Sequence, residues 1–331
     1  MVSTVTLTLA FNRQTLPFRT DCVVAGTECL VSTNSVDILQ AAAQWRSVKK
    51  RSCVPSFEME VLVASTVDTR CRHSAYFRGV RHLVFAVLPP RNFITYDLLR
   101  KHVHAVLSAA TASDPTFWNT LLLPITMGVL GTTIGVAPLH CACLERHGSG
   151  LLLAGVSGAG KSTLAAALAQ RGFALISDDW TYVSKQQSAL FGHGLSAPVK
   201  LLPDAVRFFS YLREFTPRPT LNGEVAYEID PAHSIGCTVK SFTYPRRIFF
   251  LERTSTPGCD FVACRREYVK SFFEESVERL PDELAEAKEF RASILRTLSL
   301  YPAWVLRTGD GPHETAEAID TFLSEATHAT A

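Results

Sequence analysis

The stretch LLLAGVSGAGKSTLAAALAQRGFALISDDW, residues 151 to 180, constrains the fold of this chain more than any other. Its Gly155, Gly160, Lys161 and Ser162 fill every fixed position of the pattern G-x-x-x-x-G-K-[ST]. The apolar GLLLAG ahead of it reads as a buried strand, and the alanine-rich STLAAALAQ behind it as a helix. Strand, glycine turn and helix in that order make a phosphate-binding loop. Glycines allow backbone angles that turn successive N–H groups inward, and the helix N-terminus adds its dipole. The residues assigned to a nucleotide are Gly155, Ser157, Gly158, Ala159, Gly160, Lys161, Ser162 and Thr163. Lys161 suits the β- and γ-phosphates and the Ser162 hydroxyl suits a metal, so ATP and Mg²⁺ are the expected ligands.

Asp178 and Asp179 follow the short apolar strand GFALIS, and seventeen positions separate Lys161 from Asp178. That length holds one helix and one strand. In a parallel sheet the strand's end lies beside the loop, so both carboxylates should reach the γ-phosphate region. One carboxylate there can hold Mg²⁺ and the other can accept the proton of an attacking hydroxyl. A turn or cap role ahead of WTYV is the plainer alternative for Asp179. The chain carries neither Asn-Lys-x-Asp, for guanine recognition, nor the Leu-Ser-Gly-Gly signature of transporter ATPases.

Composition narrows the classes further. Of 331 residues, 47% are hydrophobic and 19% charged, a globular balance, and a net charge of +2 gives no basic field for nucleic acid. Nine cysteines at scattered spacings read as thiols of a reducing compartment, and the expected location is cytoplasmic. The first residues show no basic region followed by an apolar run, so no signal peptide is expected. Residues 115 to 144 carry no charge, but two prolines and three glycines within LLLPITMGVLGTTIGVAPL point to a buried helix, not a membrane span.

The alternations point to two domains: a strand-rich N-terminal α+β domain over 1–125, and an α/β catalytic domain over 126–331. In the first, STVTLTLAF, EMEVLVAST and RHLVFAVLPP read as strands and SVDILQAAAQWRS as a short helix. Thr95 reads as the cap of a helix over YDLLRKHVHAVLSAA, with Leu98, Leu99, Val103, Val106 and Leu107 on one face. On that helix His102 and His104 have no metal-ligating neighbour and read as ordinary histidines. Asp114 and Pro115 open the next apolar helix. In the second domain, a charged helix is expected over about 265 to 298, then the strand AWVLRT and a final helix HETAEAIDTFLSEA.

GVSGAGKST, RGFALISDDW and LHCACLERHGSGLLLAG together resemble the catalytic domain of the HPr kinase/phosphorylase family. The likeness runs in outline over about residues 138 to 331 and is specific over 140 to 180. It implies a P-loop kinase with Asp178 as general base of phosphoryl transfer, Asp179 and Ser162 at the metal, and Lys161 on the phosphates. His140, fifteen positions ahead of Gly155, would be an auxiliary group near the transferred phosphate. The family has Glu after the loop serine; here Thr163 stands, as suits a diverged relative acting on a peptide or a small molecule. The implied acceptor is a hydroxyl, Ser foremost, of a protein, a peptide or a small molecule; a nucleotide-binding regulator without transfer activity is the other reading. Arg246 and Arg247 are candidates to assist transfer, and Lys200 and His193 are weaker candidates for the site. The N-terminal domain has no readable motif; substrate binding, homo-oligomerisation and covering the sheet are its candidate roles.

Overall fold

The computed structural model describes residues 16–45, 55–64, 75–114, 116–195, 197–220, 223–276, 279–309 and 311–328. The chain divides into two compact units, Met1–Ile134 with Pro281–Leu284, and Gly135–Leu280 with Ala285–Ala331. The expected strand within STVTLTLAF lies outside the described residues.

In the first unit the described strands form a seven-stranded sheet, in the order Phe18–Val24, Thr27–Thr33, Phe57–Ala64, His102–Ser108, Asn92–Asp97, Leu83–Leu88, Tyr76–Val80. The two inner pairings of Phe57–Ala64 are parallel and the rest are antiparallel. Helix Val36–Ala43, capped by the Ser35 hydroxyl, follows the second strand.

The helix expected from Thr95 is not formed. Asn92–Asp97 and His102–Ser108 are instead an antiparallel hairpin. Val103, Ala105 and Leu107 are fully buried, a period of two, and the two valines favour a strand. Asp97 Oδ1 accepts from the N–H groups of Leu99 and Arg100, and Lys101 sits at φ 55, so the chain turns where the helix was expected. The uncharged segment after Asp114 is helical over Trp118–Leu122 and Leu123–Leu130, with Leu122, Leu123, Met127 and Leu130 buried. Among the described residues no helix is long and apolar enough to cross a membrane.

The second unit is α/β. Its six-stranded sheet runs Ala174–Ser177, Ala142–Arg146, Ser149–Ala154, Pro245–Arg253, Ala303–Thr308, Cys259–Ala263. Pro245–Arg253 pairs in parallel with Ser149–Ala154 on one side and Ala303–Thr308 on the other. Strands covered on both faces read as unbroken apolar runs, and the two faces divide these residues alternately. Leu151, Leu153, Phe249 and Leu251 pack with the helices Lys161–Gln170 and Pro312–His328. Leu152, Ala154, Ile248 and Phe250 pack with Arg266–Glu275 and Ala285–Leu298. These last two helices replace the single one expected over 265 to 298. Pro281 lies between them, and a proline has no N–H to continue a helix. A second sheet, Phe242–Thr243, Ala189–His193, Trp180–Gln186 and Val136–His140, adds Ala137, Leu139, Val183 and Leu190 to the same core.

Candidate functional site

The loop after Ser149–Ala154 leads directly into helix Lys161–Gln170. Gly160 is the helix N-cap with φ 94, a left-handed angle that costs any other residue strain. At Gly155 a Cβ would lie 2.9 Å from the Leu251 carbonyl oxygen, so the loop needs glycine to pass the neighbouring strand. Lys161 is buried, and its ammonium donates to the carbonyls of Gly155 at 2.9 Å and Val156 at 3.2 Å. Burial pulls its pKa below the usual lysine range, opposed by the charges of Asp179 and Asp178.

Asp178 and Asp179 occupy the bend between Ala174–Ser177 and Trp180–Gln186. Below that bend, the Thr181 hydroxyl donates to the Cys141 carbonyl at 2.8 Å and shares a 2.7 Å hydrogen bond with Ser177. These buried contacts tie the aspartates to the strand end that carries His140. Asp178 Oδ2 accepts from the Lys200 backbone N–H at 3.1 Å, while its buried Oδ1 has no hydrogen-bond partner. Burial pushes the Asp178 carboxyl up to about 6, the Asp179 charge adds to this, and the Lys200 N–H and the Ser162 hydroxyl oppose it. Asp179 differs. Burial pushes its pKa up, but the hydrogen bond and charge of His140, with Lys200 and Lys161, outweigh this and hold it below the usual range. His140 Nε2 lies 3.0 Å from Asp179 Oδ1, and the imidazole stacks on Trp180 at 5.2 Å.

These groups face one cavity of ≈ 550 Å³, lined by His140, Ser157, Gly158, Gly160, Lys161, Ser162, Thr163, Asp178 and Asp179. Gly155 and Ala159 form the back of the loop, where a second hollow of ≈ 370 Å³ lies. Lys200 lines the main cavity, from the strand Val199–Leu201. Arg246, Arg247 and His193 do not. Arg247 is the third residue of the strand Pro245–Arg253 and donates to the Ser149 hydroxyl, and His193 shares a hydrogen bond with Ser184. Arg253, Arg207, Asp204 and Glu224 line the cavity without having been singled out from the sequence. Arg253 had a signal: it comes just after the apolar run IFFL, and the carboxyl ends of parallel strands are where such sheets bind ligands.

The residues fit a nucleotide and its metal. The loop is shaped by glycines where a Cβ would clash, and a buried carboxylate oxygen beside Ser162 lacks a partner. Ser162 and the aspartates offer oxygen donors, the type Mg²⁺ takes.

Residues 135–202 match the family model of the HPr Serine kinase C-terminal domain. The match begins where the second unit begins, and it includes His140, the loop and the aspartate pair. A comparison with curated proteins finds no match. Among solved structures, the chain is similar to the Hpr(Ser) kinase/phosphatase from Coxiella burnetii, with 15% identity and a TM-score of 0.35 over 59% of this chain and 92% of that one. By that family match, residues 135–202 are similar to an HPr kinase C-terminal domain.

Proposed function

We propose that the second unit is a Mg²⁺-dependent kinase that transfers the γ-phosphate of ATP to a hydroxyl, Ser foremost, of a protein or peptide. The observation that carries this is Asp178: a carboxyl pushed up to about 6, with one buried oxygen unpartnered, beside Ser162 of a phosphate loop. A positioned base works best with a pKa near the working pH. Asp178 therefore suits the proton acceptor for the incoming hydroxyl. Asp179, held anionic by His140 and the two lysines, suits the metal together with Ser162. Lys161, released from the two loop carbonyls, suits the β- and γ-phosphate oxygens. Bound Mg²⁺ supplies charge that neutralises the transferring phosphoryl group. Cys22, Cys29, Cys141, Cys143, Cys237 and Cys264 carry free thiols, in keeping with a cytoplasmic setting.

The test is incubation with γ-labelled ATP and two acceptor sets, proteins and peptides in one and small hydroxyl compounds in the other. Label on a serine of a protein or peptide is expected. Label on small molecules alone would overturn the acceptor, and tight ATP binding without any transfer would turn the reading to a nucleotide-binding regulator.

A further inference from the structure

His102 and His104 stand two positions apart on the strand His102–Ser108, so both imidazoles leave the same face of the sheet. On the adjacent parallel strand, Glu60 is the register partner of His104. Glu60 Oε2 lies 3.1 Å from His104 Nδ1, and Oε1 lies 3.8 Å from His102 Nε2. The two rings stack at 4.2 Å. All three side chains are largely buried, at 15 to 22% exposure. Glu60 Oε2 and His102 Nε2 make no hydrogen bond of acceptable geometry.

We propose that Glu60, His102 and His104 form a divalent zinc-type metal site in the first unit. Two imidazole nitrogens and one carboxylate oxygen are a known three-ligand set for zinc, with one position left for water or a fourth donor. Tetrahedral bonds of about 2.0–2.1 Å put ligand atoms roughly 3.4 Å apart, and the three ligand atoms here lie within 4.8 Å of one another. Small rotamer changes close that gap. Imidazole favours zinc over Mg²⁺ or Ca²⁺, which take oxygen ligands, so this site and the phosphate cavity select different ions. Asp97 and Glu58, register partners of His102 on the flanking strands, add negative charge nearby. A bound ion would satisfy the Glu60 and His102 atoms that lack hydrogen bonds and tie two adjacent strands together.

The full chain, dialysed against a chelator and then freed of it, is titrated with Co²⁺ and with Zn²⁺. Visible Co²⁺ bands of tetrahedral strength and one tight Zn²⁺ per chain are expected, both retained in Lys161→Ala. The melting temperature should rise with added Zn²⁺. Glu60→Gln keeps the side chain's shape and should weaken uptake by at least the ~10–100-fold that losing an outer-shell partner costs. His102→Ala with His104→Ala should remove the bands. If the double variant does not fold, the Glu60→Gln titration decides. No tight Zn²⁺ in the wild type, or uptake unchanged in Glu60→Gln, overturns the site.

Discussion

The polar centre around Lys161 and the one around Glu60 sit on different parts of their sheets. The first hangs from the ends of strands, where the chain leaves the ladder and its N–H groups are released for a ligand. The second lies within the sheet, between paired strands whose backbone groups are already used. Side chains alone are then available, with ligand atoms within 4.8 Å of one another. A strand-end site can bind a substrate, open and reload. A mid-sheet site can hold something small and hold it still.

The comparison breaks most decisively at Lys161. Lys161→Ala should bring phosphate transfer to background while metal uptake by the first unit is unchanged. Full transfer by the folded variant would remove the cradle from the chemistry. Next in size is Asp178→Asn, which keeps the shape and removes the proton acceptor. The transfer rate should fall about 10²–10⁴-fold with ATP affinity nearly kept. In the wild type, kcat/KM should decline on the acid side with a midpoint near the Asp178 value of about 6, since only the carboxylate accepts a proton. That limb should vanish in Asp178→Asn. Stability moves in the opposite sense. A carboxyl raised in the fold favours folding when protonated, and that contribution is lost as pH rises through about 6. The asparagine variant should therefore melt above the wild type at high pH, with the gain shrinking toward about pH 4.

Arginines near the start and at the end of one strand give a smaller contrast. Arg253→Ala should cost roughly 10–100-fold in transfer, the worth of a hydrogen bond to a charged group. Arg247→Ala, which loses a bond to Ser149 outside the cavity, should leave the rate within about twofold. Equal losses would mean that strand end does not decide function here. Smallest is the Asp179 effect. Asp179→Asn should raise the Mg²⁺ concentration for half-maximal transfer, and saturating metal should restore part of the rate. His140→Ala should shift the same curve in the same direction, and less. Rate loss that no Mg²⁺ concentration repairs would exchange the roles of the two aspartates.

The loop, its helix and the aspartate pair were legible because they lie within thirty consecutive residues whose order alone carries the meaning. Arg253 and the Glu60 cluster were not, because strand register assembles them. Glu60 lies over forty residues from its histidines. Around the histidines Leu98, Leu99, Val103, Val106 and Leu107 fit a helical period, while Val103, Ala105 and Leu107 fit a strand equally well. The Asp97 turn and the β-branched valines were the signals that separate the two. Pro281 could likewise have divided the charged helix, since a proline inside such a pattern ends or kinks it.

The parallel pairing of Pro245–Arg253 also bears on how the protein is made. Leu151 is register partner of Arg247, so closing this contact spans roughly a hundred residues, and pairings so distant along the chain form slowly. Until they form, LLLA and IFFL are exposed apolar segments that can meet other chains. The phosphate loop shares that timing, because Gly155 takes its place against the Leu251 carbonyl. On a ribosome, residues 151 to 180 can emerge complete and still have no formed cradle. On the proposed function, a nucleotide can bind only after the strand that ends at Arg253 has been synthesised and docked.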